Sequence, residues 1–230
     1  MGSIPYFGLM GTTRLACFML QCKSKMMNWL TFLSRIFLGP KLSSRMDLRE
    51  FLESRAAYLA QKSISEYTQA RANMMFSTLL GEKAFQDAYE RARWFSFPAT
   101  LAMVAEALAA RFRNLDISGT DSINVMLQSM AEDIVSTYPV PEGENADFWQ
   151  MKLLELERDL LRAGLAAPHA IHLIPKARSR EIFENLPVHP SVRKHDFGMF
   201  QNTLSFHLTE IGAEIEDAFN ADSARKILEG

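Results

Sequence analysis

Residues 47–80 read DLREFLESRAAYLAQKSISEYTQARANMMFSTLL, and the reading of this stretch decides the fold class. Apolar or small residues recur at Leu48, Leu52, Ala56, Leu59, Ser63, Tyr67, Ala70 and Met74. Steps of three and four keep such residues on one face of a helix with 3.6 residues per turn. Phe51, Tyr58 and Met75 widen the stripe, while Arg49, Glu50, Glu53, Lys62, Glu66, Gln69 and Arg71 lie mostly off it. Asp47 suits the N-cap, and Glu50 three residues later completes a capping box. No Pro or Gly interrupts before Gly81, so the pattern predicts one unbroken helix from Asp47 to Leu80, roughly 50 Å long. A helix of that length is a spine for a bundle, and its stripe reads as ordinary core rather than as a ligand-binding face.

Downstream the pattern stays helical. Gly81 separates the spine from a second helix over Glu82–Phe95, and Pro98 fits the first turn of a third that runs to Phe112. Asp121 or Ser122 caps a fourth helix, which stops at Tyr138 because Pro139 disfavours helix in the residue before it. Residues 139–146 form the clearest linker, and the body divides there into two parts that are expected to pack together. A fifth helix spans Phe148–Ala163, a last long one Asp196–Phe219, and a short one Asp222–Leu228 closes the chain. Ala170–Ile174 is the best strand candidate, and it is isolated. No alternating Val/Ile/Thr run bounded by turn residues occurs. The expected class is therefore all-α: an irregular helical bundle of about five to seven helices over residues 47–230, preceded by a basic apolar N-terminal arm over residues 1–46.

Composition supports that division. The chain has 230 residues, 48% hydrophobic and 23% charged, enough for one sizeable core with or without an arm. Net charge is −2 but unevenly spread. The arm holds Arg14, Lys23, Lys25, Arg35, Lys41 and Arg45 and no acidic residue, which leaves the body 19 of the 25 basic residues against all 27 acidic ones. An acidic body argues against nucleic acid as a partner, because phosphate binding needs a basic face. Cys17 and Cys22, both in the arm, lack the two-residue gap of common zinc and redox motifs, and the body has neither disulfide nor thiol nucleophile. That fits a reducing compartment: the cytoplasm or the matrix side of an organelle, peripheral to a membrane, and not secreted.

Four readings fit the arm. Trp29, Phe32, Leu33 and Phe37, with Arg35 among them, make a cluster that suits the headgroup region of an anionic membrane or a docking site on a larger complex. Its acid-poor, Arg- and Ser-bearing composition also suits an organelle-targeting leader. A secretory signal ending near Cys17 fits worse, since its apolar run is short and Arg14 interrupts it. Translation starting at Met26, Met27 or Met46 is the plainest reading. Lys23, Lys25 and Arg35 break the apolar runs well short of the ~20 residues that a membrane crossing needs.

Catalytic motifs are missing from the sequence: there is no Gly-x-Ser-x-Gly elbow, no phosphate-cradling Gly-rich loop, and no Glu-x-x-His pair of a di-iron bundle. No catalytic residue is assigned, and the chain reads as leaning away from an enzyme. All five histidines fall between His169 and His207. His169, His172, His189, His195 and Asp196 are the candidate ligands for a divalent metal, the only cofactor for which a case exists. Their spacing fits loop and capping roles better. Arg91, Arg93, Trp94 and Phe97 crowd a helix junction and are candidates for holding a partner, although the preferred reading has Phe95 and Phe97 as corner anchors, with the arginines paired to glutamates. The functional expectation is a non-catalytic helical interaction protein: an adaptor, assembly factor or accessory subunit of a larger, membrane-associated complex. The alternative is a small-ligand or metal-binding helical protein, or an enzyme, that uses residues 169–207.

Overall fold

Ser44 starts the bundle. Its hydroxyl accepts a hydrogen bond from the Asp47 N–H at 3.1 Å, and the Asp47 carboxylate accepts in return from the Ser43 N–H and hydroxyl. This capping exchange begins helix α1 at Arg45, two residues before the expected start. The computed structural model describes residues 41–115, 117, 119–165, 170–218 and 220–229. It holds nine α-helices and no strand among those residues. They are α1 Arg45–Ala72, α2 Phe76–Leu79, α3 Lys83–Asn114, α4 Thr120–Val135, α5 Phe148–Leu165, α6 Ser179–Glu184, α7 Pro190–Arg193, α8 Phe197–Ala218 and α9 Ala221–Glu229. Two 3-10 segments, Asn73–Met75 and Ile171–Ala177, complete the order. The chain is all-α, as the periodicity predicts.

The spine is α3 rather than α1. Between Ser96 and Ala109 every residue of α3 except Glu106 is buried, so this stretch is apolar around its full circumference. A helix of that kind has to be enclosed. Helices α1, α4, α5, α6 and α8 and the second 3-10 segment all pack on it. It is also the one described helix long and apolar enough to cross a membrane, but its apolar window is 78% buried inside the protein.

Pro98 does not start a helix, contrary to the sequence expectation; it lies inside α3. A proline there withholds one N–H from the helix ladder and costs about 3 kcal/mol. The turn is secured in other ways. Ser96 Oγ donates to the Ala92 carbonyl at 2.7 Å, and Thr100 Oγ1 donates to the Ala56 carbonyl of α1 at 2.9 Å. Burial of Phe97, Leu101, Val104 and Leu108 outweighs the loss, because each such side chain contributes about 1.5–3 kcal/mol.

Ala170–Ile174 also departs from expectation: it runs into a 3-10 turn, not a strand. That turn packs on α8 so closely that a Cβ on Gly212 would lie 2.5 Å from Ile171 Cδ1. Leu42, which composition groups with the arm, is buried, and its N–H donates to the Ala218 carbonyl at 3.0 Å. Arg45 reaches the Ile227 and Leu228 carbonyls at the end of α9. Residues 40–230 form one unit. The turn over residues 139–147 is tied down by Trp149 Nε1, which donates to the Pro139 carbonyl at 3.1 Å.

Candidate functional site

The stripe of α1 runs past the point where its burial ends. Leu48, Leu52, Ala56, Leu59, Ser63 and Tyr67 are buried, but Ala70 and Met74, on the same spacing, are exposed. From Gln69 to Arg91 no side chain is buried at all. This stretch is a helical hairpin. It comprises the last turn of α1, the Asn73–Met75 segment, α2, a turn at Gly81 and the first turns of α3. The predicted single helix to Leu80 is therefore interrupted at Asn73, whose φ of 47° is the only positive φ of a non-glycine residue among the described residues. Asn tolerates that backbone better than other residues with a Cβ, but the geometry is still strained.

The hairpin is held together mostly by itself. The Asn73–Met75 segment and α2 pack on α1 and on each other. Phe76 meets Phe85 edge-on, with centroids 6.4 Å apart, and Phe85 leans on Tyr89. Gln86 Nε2 donates to the Leu80 carbonyl at 2.6 Å, and Lys83 pairs with Asp87. What remains uncovered is apolar: Met74 is 88% exposed and Met75 58%, beside half-exposed Phe76, Leu79 and Leu80.

At its root the same hairpin is pinned by charge. Tyr67 donates to Asp196 Oδ2 at 2.7 Å, and Arg71 forms an ion pair with the other oxygen of that carboxylate. Burial, reinforced by the adjoining Asp196 charge, pushes the Tyr67 hydroxyl up to about 12. One residue before Tyr67, Glu66 Oε2 lies 2.6 Å from His207 Nε2, while Glu210 stands 2.9 Å from the other ring nitrogen. Burial works to raise the Glu66 carboxyl, but hydrogen bonds from Lys62 and His207 outweigh it and hold the group below its ordinary value. These contacts tie α1, between Glu66 and Arg71, to α8 and to Asp196 just before it. Beyond Arg71 polar contacts run inside the hairpin, among them Gln86 to the Leu80 carbonyl and Lys83 to Asp87.

On the other leg stand the residues singled out for partner binding. Phe97 is 2% exposed and packs edge-on to Tyr138, so it belongs to the core. Trp94 is half-buried, edge-on to Tyr138 and Trp149. Arg93 donates to Gln61 Oε1 at 3.5 Å, and burial pushes its guanidinium below the ordinary value. Arg91 is exposed, over the Phe95 ring and 3.6 Å from Glu144. The four residues thus mark the root of the hairpin, and only Arg91 is open to solvent.

The metal candidates scatter. His172 and His195 are exposed, and His189 Nδ1 caps α7 by accepting from the Ser191 N–H. Asp196 already serves Tyr67 and Arg71, and His169 lies outside the described residues. Among the described residues no group of three His, Cys, Asp or Glu side chains is placed to hold a metal ion. The arm candidates Trp29, Phe32, Leu33, Arg35 and Phe37 also lie outside the described residues. A cleft of about 390 Å³ opens between α3, α5 and the second 3-10 turn, lined by Glu106, Asp159, Arg162, Leu173 and Lys176. Behind it, buried Arg178 spans Asp159, Glu155 and Glu181. Burial opposes the Arg178 charge, but those carboxylates carry it above its ordinary value. Glu155, raised by burial, is held lower still by Arg178 and Lys152. Each charge in this network is answered by another, which is the pattern of a structural latch between α5 and α6.

Sequence reasoning missed the hairpin. The signal was present in Met74-Met75-Phe76 and Leu79-Leu80, an apolar cluster too dense for one helical face. No protein-family model matches this chain, and neither a curated protein nor a solved structure matches it.

Proposed function

We propose that this protein is a non-catalytic interaction protein, an adaptor, assembly factor or accessory subunit, that holds a partner protein on the tip of the α1–α3 hairpin. One observation carries this reading: residues 69–91 contribute no buried side chain, yet their tip presents Met74, Met75, Phe76, Leu79 and Leu80. Apolar surface left in water costs about 25 cal/mol per Å², so a tip of this composition gains by being covered. Methionine suits such a surface, because its unbranched, polarisable side chain adapts to the groove that receives it. Residues 69–91 carry Arg71, Lys83 and Arg91 against Glu82, Asp87 and Glu90, so the hairpin lacks the lysine and arginine excess that an anionic membrane selects for, and a protein groove is the better fit. The pinned root supports the same reading. A rigid base presents the tip without a further ordering cost when the partner binds.

The test is site-specific photo-crosslinking in cells that make the protein at its natural level. With benzoylphenylalanine in place of Met75, one defined protein is captured; with the same group in place of exposed Lys226 on α9, that product is absent. No product from Met75, or the same products from both positions, contradicts the proposal.

A further inference from the structure

Helix α5 carries two stripes where a helix on the edge of a bundle needs one. Phe148, Trp149, Leu156, Leu160 and Ala163 face the core. A second row, Met151, Leu154, Arg158, Leu161 and Leu165, faces solvent: the first three apolar members are about half exposed, Leu165 is 91% exposed, and Arg158 is exposed. Its steps are three, four, three and four, the heptad spacing of a helix that pairs with another helix.

The row is self-complementary when reversed. About a point between Glu157 and Arg158, a half-turn sets Leu154 opposite Leu161, Met151 opposite Gly164 beside Leu165, and Arg158 opposite Glu157. Neither Glu157 nor Arg158 forms an ion pair within the chain among the described residues. Beside the row, a groove of about 230 Å³ between α4 and α5 is lined by Asn124, Val125, Gln128, Glu157 and Leu161. Asn124 is buried in its wall, and its Oδ1 has no hydrogen-bond partner while Nδ2 donates to the Leu160 carbonyl. A buried amide oxygen without a donor is left without the hydrogen bond it has in water, and a donor entering this groove supplies it.

We infer that the outer face of α5 is an isologous dimer interface, on which a second copy of this chain lays its own α5 antiparallel. Two Leu154–Leu161 layers flank reciprocal Glu157–Arg158 pairs, and Arg158 of the second copy enters the groove that Glu157 and Asn124 line. An interface of this kind is closed by a two-fold axis. It rests on α5 and its groove with α4, and stands whether or not the hairpin holds a partner.

Sedimentation of the full chain tests it. The expected mass is twice 26.1 kDa. The double variant Leu154→Glu/Leu161→Glu sediments as a monomer with unchanged helix content, and its melting temperature no longer depends on protein concentration. Glu157→Arg and Arg158→Glu each weaken the dimer about tenfold, and the two together restore it, as reciprocal charge pairs require. In a Cys17→Ser/Cys22→Ser background, a mixture of Leu154→Cys and Leu161→Cys chains forms a disulfide-linked dimer, and neither chain alone does. A wild-type chain that is monomeric at every concentration overturns the inference. So does a dimer indifferent to Leu154→Glu/Leu161→Glu, or a Leu154→Cys chain that crosslinks to itself, which is the parallel arrangement.

Discussion

Leu59 and Met74 belong to one stripe of one predicted helix, yet Leu59 is fully buried and Met74 is 88% exposed. The difference lies in what stands opposite. At Leu59 the facing elements are the buried stretch of α3 and the flank of α8; at Met74 α3 is present only as the other leg of a bare hairpin. Periodicity records which residues share a face, and burial depends on whether a second layer covers that face. The contrast between root and tip therefore separates residues kept for folding from residues free to serve another surface.

That contrast breaks first under truncation of the core. Leu59→Ala should cost about 2–5 kcal/mol in chemical denaturation, as cavities in packed cores do, whereas Met74→Ala should stay within about 0.5 kcal/mol. Equal effects at the two positions would erase the distinction. The polar ties at the root come next. Asp196→Ala leaves Tyr67 and Arg71 without their acceptor and should cost about 3 kcal/mol, the low end for one partner of a buried pair, because Arg71 keeps access to water.

Tyr67→Phe sharpens the comparison further. The Tyr67 hydroxyl is raised from 10.0 to about 12, so its contribution is complete below pH 10 and is lost as pH rises through about 12. The wild-type melting temperature should fall across that window by more than that of Tyr67→Phe, and below pH 10 the variant should be about 1 kcal/mol less stable. Identical alkaline limbs would remove Tyr67 from the root. The smallest effect belongs to the strained junction: Asn73→Gly should raise stability by less than about 1 kcal/mol, since glycine adopts its φ of 47° without cost.

The fold class was legible because Leu48 to Tyr67, and the apolar runs after it, repeat every three or four residues, and none alternates as a strand does. The break at Asn73 was not, because the residues around it (Ala70, Arg71, Ala72, Met74 and Met75) are good helix formers and a lone asparagine is a weaker stop signal than the glycine at 81. Pro98 misled for a physical reason. Its local penalty is real, but the burial of Phe97 to Ala109 exceeds it, and a rule read from neighbours alone has no access to that burial. Phe97 was legible in part: an aromatic beside two arginines reads as a corner anchor before it reads as a binding residue, and its position against Tyr138 places it in the core. The histidines are dispersed by loops whose paths depend on α8, so their nearness in sequence carried no information about nearness in space. On α5, Met151, Leu154 and Leu161 were visible as apolar positions, but assigning them to a second, outward stripe requires knowing that Trp149, Leu156 and Leu160 already face the core.

The most direct measurement of the central claim is a double variant, Met74→Ser/Met75→Ser, followed in parallel by thermal unfolding and by the complex it forms at natural expression level. The account predicts a melting curve superimposable on the wild type and a protein that elutes without its partner. A lowered melting temperature together with loss of the complex would make the tip part of the core. An unchanged complex would place the partner elsewhere on the molecule and contradict the account.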